Sequence, residues 1–159
     1  MIYDIRYATP GDAPTLHAII QAAFAEYDGV IAVPPGALSE TLEEVAEAIA
    51  KGTALLAYDG EQAVGTVRYE VRADHLYVGR LAVLPSHRGR KVGTALMAYV
   101  ESLAKELGRP KVHLWTRLSM PSNLAFYERL GYRIVNTEPH PRGDDTNVWF
   151  EKELTLDNP

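Results

Sequence analysis

The chain has 159 residues, no cysteine, 47% hydrophobic and 23% charged residues, and a formal net charge of −5. Disulfides, cysteine-rich zinc sites and a thiol nucleophile are excluded, and the composition is that of a globular domain long enough to bury its own core, read as one domain over residues 1–159. No apolar run approaches the roughly 18 residues of a membrane span, and the N-terminus has no basic and apolar leader, so a cytoplasmic protein that does not enter a membrane is expected.

Ile2 to Ala8 alternates apolar and polar residues and reads as a strand. At Thr9-Pro10-Gly11-Asp12 it turns into a helix that Asp12 can cap, with Pro14 in its first turn and Leu16, Ile19, Ile20, Ala23 and Phe24 inward. A loop with Gly29, Pro34, Pro35 and Gly36 follows. A second helix starts near Ser39 or Thr41, where Thr41 and Glu44 fit a capping box, and stops at Gly52. Thr53–Tyr58 and Gln62–Val71 flank Asp59-Gly60 as a hairpin. His75–Val83 is a third strand of this group, closed by Pro85. From Gly89 a long helix runs to Leu107 on a stripe of Val92, Leu96, Tyr99, Val100, Leu103 and Leu107, ended by Gly108 and Pro110. Val112–Thr116 is a strand and Ser122–Leu130 a short helix broken by Gly131. Tyr132–Val135 and Thr146–Glu153 close the chain as strands around the loop Glu138–Asp145. The order β-α-α-β-β-β-α-β-α-β-β describes a mixed α/β domain with a central sheet of six to seven strands and four helices.

Charge is unevenly placed. Residues 7–50 hold seven carboxylates (Asp12, Glu26, Asp28, Glu40, Glu43, Glu44, Glu47) and no Lys or Arg, whereas His87-Arg88-Gly89-Arg90-Lys91 packs three fixed cations into five residues. One basic knot on an acidic chain suits a local anion site and not a nucleic-acid surface, which needs a broad basic stripe. The knot lies between a strand and a helix, in Leu81-Ala82-Val83-Leu84-Pro85-Ser86-His87-Arg88-Gly89-Arg90-Lys91-Val92-Gly93-Thr94. The first amides of a helix have no intrahelical partner and carry the positive end of its dipole, so this turn is built for phosphate. It is not a P-loop, because Gly89 to Gly93 is one residue short and Thr94 takes the lysine place. No G-x-G-x-x-G is present either. Neither ATP nor NAD is the expected ligand.

At these residues the chain resembles the GNAT superfamily of N-acetyltransferases, whose signature [QR]-x-x-G-x-[GA] is matched by Arg88-Gly89-Arg90-Lys91-Val92-Gly93, with Lys91 at the usual middle glycine. Met120-Pro121-Ser122-Asn123-Leu124-Ala125-Phe126-Tyr127-Glu128-Arg129-Leu130-Gly131-Tyr132 is similar to the family's late helix, and Ile5–Pro14 to its first strand and turn. The resemblance covers nearly the whole chain and implies a small, single-domain acetyltransferase of bacterial type.

It implies acetyl-CoA as acyl donor, lying between His75–Val83 and Val112–Thr116. The cofactor would be held by Leu81, Ala82, Val83, Arg88, Gly89, Arg90, Lys91, Val92, Gly93, Thr94, Asn123 and Tyr127. The backbone of Leu81 and Val83 would pair with pantetheine, and the Val83 N–H would act as oxyanion hole. Tyr127 would protonate the departing thiolate, a phenol of pKa about 10 facing a thiol of about 8.5; its other reading is an aromatic anchor for the helix. Asn123 stands one turn before Tyr127 and can serve the cofactor or cap the helix. For the base that takes the amine proton, the candidates are Tyr77, His75 and Glu26. Period two puts His75, Tyr77, Gly79 and Leu81 on one strand face.

The expected reaction is direct transfer of acetyl to an amine of a small molecule or peptide, since there is no cysteine and no visible Ser-His-Asp constellation. The carboxylates of residues 7–50 would favour a cationic acceptor. The alternative is a non-catalytic acyl-CoA-binding or sensing module of the same fold. No metal is expected, because His17, His75, His87, His113 and His140 show no ligand spacing. Two copies could pair through the closing strands.

Overall fold

Residues 2–155 are described by a computed structural model; Met1 and residues 156–159, the ends of the span read as one domain, lie outside it. The first strand, β1 (Asp4–Tyr7), ends at a 3-10 turn over Pro10–Asp12. Asp12 holds that turn and does not cap the helix behind it: its Oδ2 accepts from the Thr9 N–H at 2.7 Å and the Thr9 hydroxyl at 3.0 Å. α1 (Ala13–Phe24) then buries Leu16, Ile19, Ile20 and Ala23. A single extra turn, α2 (Gly36–Ser39), interrupts the expected loop, so the described chain has five helices rather than four. α3 (Leu42–Ala50) opens on the expected reciprocal box, with Thr41 N–H to Glu44 and Glu44 N–H to Thr41 both at 3.1 Å.

β2 (Ala54–Asp59) and β3 (Gln62–Val71) form the hairpin around Gly60, whose φ of +62° suits a two-residue turn. β4 (Leu76–Val83), α4 (Val92–Glu106), β5 (Lys111–Arg117), α5 (Pro121–Arg129), β6 (Arg133–Pro139) and β7 (Thr146–Glu153) complete the order. α4 begins at Val92 and not at Gly89, because Gly89 and Lys91 have φ of +72° and +65°, outside the helical region. Its buried face is Val92, Leu96, Met97, Val100 and Ala104, while Leu107 is exposed. β6 continues four residues past Val135, as an outer strand exposed along its whole length.

The seven strands form one mixed sheet in the order β1-β2-β3-β4-β5-β7-β6, in which only β4 and β5 run parallel. α1 lies on one face with α3 at its flank, closing a core of Leu16, Ile20, Val45, Ile49, Leu56 and Ala82. α4 and α5 cover the other face over Leu55, Val67, Leu76, Leu96, Met97, Leu114 and Phe150. Each fully buried side chain of this size contributes roughly 1.5–3 kcal/mol of gross transfer free energy. The start of α4 sits hard on β3: a Cβ on Gly65 would lie 2.8 Å from Val92 Cγ1.

Two irregularities shape the centre of the sheet. β4 and β5 pair only at Leu76–Val112 and Tyr77–His113, then part. On its other side β4 slips against β3, Arg68 facing Gly79 and Thr66 facing Ala82, and Arg80 takes a φ of +54° in the extra position. The bulge moves every later side chain to the opposite face. Leu76 and Val78 share the α4 side with Leu81 and Val83, whereas Ala82 packs towards α1. The expected face of His75, Tyr77, Gly79 and Leu81 is therefore broken at Leu81.

Candidate active site

Parting β4 from β5 leaves backbone groups unpaired in the middle of a sheet. The Leu84 N–H bonds the Val64 carbonyl at 2.9 Å, and Gly65 faces Val83 as the next pair along. In an antiparallel ladder such neighbours alternate, so the N–H and C=O of Val83 point away from β3, into the gap. The alternation carries back to Leu81. At the end of the gap lies the start of α4. The Val92, Gly93 and Thr94 amides have no partner among the described residues, and no side chain caps them.

A cavity of about 580 Å³ joins these groups. Leu81, Ala82, Val83, Arg88, Gly89, Lys91, Val92, Gly93, Thr94 and Asn123 all line it, together with Tyr27, Ser122 and Phe126. Arg90 does not: its carbonyl accepts from the Tyr3 hydroxyl at 2.5 Å, which ties the turn to the start of the chain. Lys91 holds the turn in the left-handed conformation with an ordinary side chain. That conformation costs a non-glycine residue about 1–2 kcal/mol, and glycine loses roughly 0.5–1 kcal/mol in backbone entropy. Lys91→Gly should thus raise stability by up to about 1 kcal/mol in urea titration; a clear loss of stability would mean that the turn has another shape.

Arg88 reaches back across the mouth, donating to the Ala23 carbonyl at 2.7 Å and pairing with Glu26 at 2.9 Å. Glu26 thus stands at the cavity as a counter-ion of Arg88. Asn123 bonds the Thr116 hydroxyl at 3.3 Å across to β5 and makes no helix cap. His75 lies outside the lining of both cavities described here, bonded to Asp74 at 2.7 Å and stacked on His113 with 4.1 Å between ring centres.

A second cavity, about 520 Å³, opens on the other side of the same gap and shares Phe24, Leu81 and Asn123 with the first. Tyr127 and Tyr77 both line it. The Tyr127 ring packs against Phe126, Tyr132 and Phe150, as an aromatic anchor of its helix would. Burial, with nearby Tyr77 adding to it, pushes its phenol well above the ordinary value, and it stays a proton donor. Burial also raises Tyr77, against the pull of the Trp115 indole and of Arg80 and Arg72.

Sequence reasoning missed what else lines this cavity. Arg68 grips Glu40 through both oxygens, at 3.0 and 2.7 Å. Burial acts to raise the Glu40 carboxyl, but Arg68, with Arg80 behind it, holds it below the usual carboxylate range. Glu40, Glu44, Glu47 and Glu70 share this wall with Lys51, Arg68 and Arg80, while Arg117 is paired with Asp145. The acidity of residues 7–50 is therefore offset in part where it meets the cavity. The signal for Arg80 was in the spacing: Leu76 and Val78 are two apart, but the next apolar residue on that face is Leu81, three on.

The structure also assembles a Ser-His-Asp chain that the sequence did not show. His87 Nδ1 lies 2.8 Å from Ser86 Oγ and His87 Nε2 lies 3.1 Å from Asp59 Oδ2, because the β2–β3 turn folds onto the basic loop. Ser86 is exposed and lines neither cavity. The chain of bonds serves to fasten the loop to the hairpin. Among the described residues no three His, Cys, Asp or Glu side chains gather as a metal site, and no helix is long and apolar enough to cross a membrane.

Comparison with known proteins bears on the same regions. A model of the acetyltransferase (GNAT) family matches residues 16–132. The uncharacterized N-acetyltransferase YjcF of Bacillus subtilis is 30% identical over 94 residues, which are 59% of this chain and 65% of that protein. The chain spans less than two thirds of the length of the curated relatives it matches first, 65% and 24%. The crystal structure of a PaiA N-acetyltransferase from Thermoplasma acidophilum in complex with coenzyme A superposes with a TM-score of 0.82 over 97% of this chain and 100% of that one, at 20% identity. An aminoglycoside 6'-N-acetyltransferase complexed with coenzyme A gives 0.76 over 100% of both chains, at 21% identity. At these identities the likeness is one of fold.

Proposed function

We propose, from the premise that this chain belongs to the acetyltransferase (GNAT) family, that it transfers an acetyl group from acetyl-CoA directly to an amine of a small molecule or peptide. The observation that carries the reading is the gap between β4 and β5, where the unpaired Val83 edge, the free amides of α4 and the Tyr127 helix border connected cavities.

In this reading the pyrophosphate of acetyl-CoA is held by the amides of Val92, Gly93 and Thr94 and by the turn from Arg88 to Lys91, where helix dipole and side chains supply positive charge. Pantetheine pairs with the free edge at Leu81 and Val83. The Val83 N–H meets the thioester oxygen as charge builds on it in the tetrahedral intermediate. The amine enters from the second cavity and attacks the carbonyl carbon. As the carbon–sulfur bond breaks, the Tyr127 hydroxyl donates to the departing sulfur. Tyr77 passes the amine proton to water. Its raised pKa makes it a relay rather than a base, and Glu26 is engaged by Arg88.

The test is the release of free CoA thiol from acetyl-CoA across a panel of primary amines. Amine-dependent release with a matching acetylated product supports the reading. Acetyl-CoA that binds but is never discharged would instead favour a sensing module.

A further inference from the structure

We infer that the amine acceptor also carries a carboxylate and that Arg80 is the residue that receives it; the inference rests on the acetyltransferase reading above. Arg80 lines the acceptor-side cavity beside Tyr77, Leu81 and Trp115, with its side chain 34% exposed. Its guanidinium carries five donors, and none makes a hydrogen bond to a described residue. Its ion pair with Glu40 Oε2 is loose, 3.6 Å from Nε and beyond hydrogen-bond distance, and that Nε is closed off from solvent. Arg68 grips the same carboxylate through both of its oxygens, so Glu40 is shared between two arginines.

One carboxylate thus faces two guanidinium groups, and the cavity wall keeps a net positive charge at Arg80. The buried Nε without a hydrogen bond is costly, and the exposed part of a planar guanidinium matches a carboxylate through two parallel bonds. The side chain is also held in place. Gly36 lets it lie against the backbone, since a Cβ there would sit 3.4 Å from Nη2. Arg80 itself occupies the left-handed bulge position, a conformation an arginine adopts only when its surroundings require it. On the opposite charge, Glu47 lines the same cavity without a hydrogen-bond partner among the described residues. Separated charges of both signs on one cavity wall complement a zwitterion better than a polycation.

The test compares matched acceptors in the thiol-release assay: L-amino acids, the corresponding amides, the decarboxylated amines, and dipeptides that carry the carboxylate one residue further out. A carboxylated amine should exceed its amide in kcat/KM by roughly tenfold or more, because the amide leaves the Arg80 donors unpaired. Arg80→Gln should bring that ratio close to one while leaving acetyl-CoA affinity unchanged. Arg80→Gly relieves the left-handed strain, so it should fold at least as stably and still lose the preference. Equal use of amides or decarboxylated amines would overturn the inference, as would a preference that survives both substitutions or an acetyl-CoA-loaded protein that acetylates no carboxylated amine. A wild-type protein that fails to bind acetyl-CoA would instead overturn the acetyltransferase reading beneath it.

Discussion

Tyr127→Phe should lower kcat by roughly a hundredfold or more and leave acetyl-CoA affinity within a few-fold of wild type. The change removes a single oxygen and keeps the ring that packs on Phe126, Tyr132 and Phe150, so the fold is retained. In the proposed mechanism what is lost is a donor at the leaving sulfur, an effect of general-acid size. Because burial holds the Tyr127 phenol above its ordinary value of 10.0, the wild-type rate should show no loss from Tyr127 ionisation below about pH 10. Single-turnover kinetics would separate the chemical step from product release. Unchanged turnover in the phenylalanine variant would reduce Tyr127 to an anchor.

Asp145→Ala should destabilise the protein by about 3–5 kcal/mol. Asp145 and Arg117 form an ion pair at 3.4 Å with side chains only 2% and 4% exposed. Arg117 donates to the Val33 carbonyl at 2.8 Å and the Pro34 carbonyl at 3.4 Å, while Asp145 accepts from the Ser119 hydroxyl at 2.5 Å and the Thr146 N–H at 2.8 Å. The pair therefore binds the loop before α2, the end of β5 and the β6–β7 connection into one wall of the second cavity. Removing the carboxylate leaves Arg117 buried and uncompensated. Burial acts to raise the Asp145 carboxyl, but hydrogen bonds from Ser119, Thr146 and Arg117 hold it below the ordinary aspartate value. Its contribution is thus complete above about pH 4 and is lost as pH falls through the folded value. Urea midpoints should show the destabilisation and a flatter acid limb in the variant. A loss below about 1 kcal/mol would mean that the pair does not organise this wall.

Local signals carried most of the architecture. The Thr41–Glu44 box, the Gly60 turn and the apolar spacing of each strand were legible because each depends on residues within one turn or one ladder step. The cavity at the basic turn was legible for the same reason: a basic glycine turn between a strand and a helix is one continuous segment, and most of the residues singled out there line one cavity. Helix starts were misread where backbone conformation decides, as at Lys91, whose left-handed φ no side-chain pattern announces. The second cavity was least legible. Arg68 meets Glu40 across 28 residues, and Arg117 meets Asp145 across 28. A run of carboxylates in sequence says nothing of the cations that the sheet brings opposite it. Asp59 on His87 is another pairing of this long-range kind.

The measurement that bears most directly on the whole account is isothermal titration of the purified protein with acetyl-CoA, with CoA and ATP as controls. The gap between β4 and β5, the free edge at Val83 and the open amides of α4 predict micromolar-range binding of acetyl-CoA and CoA and no binding of ATP. Equal binding of ATP, or no binding of any of the three, would contradict it.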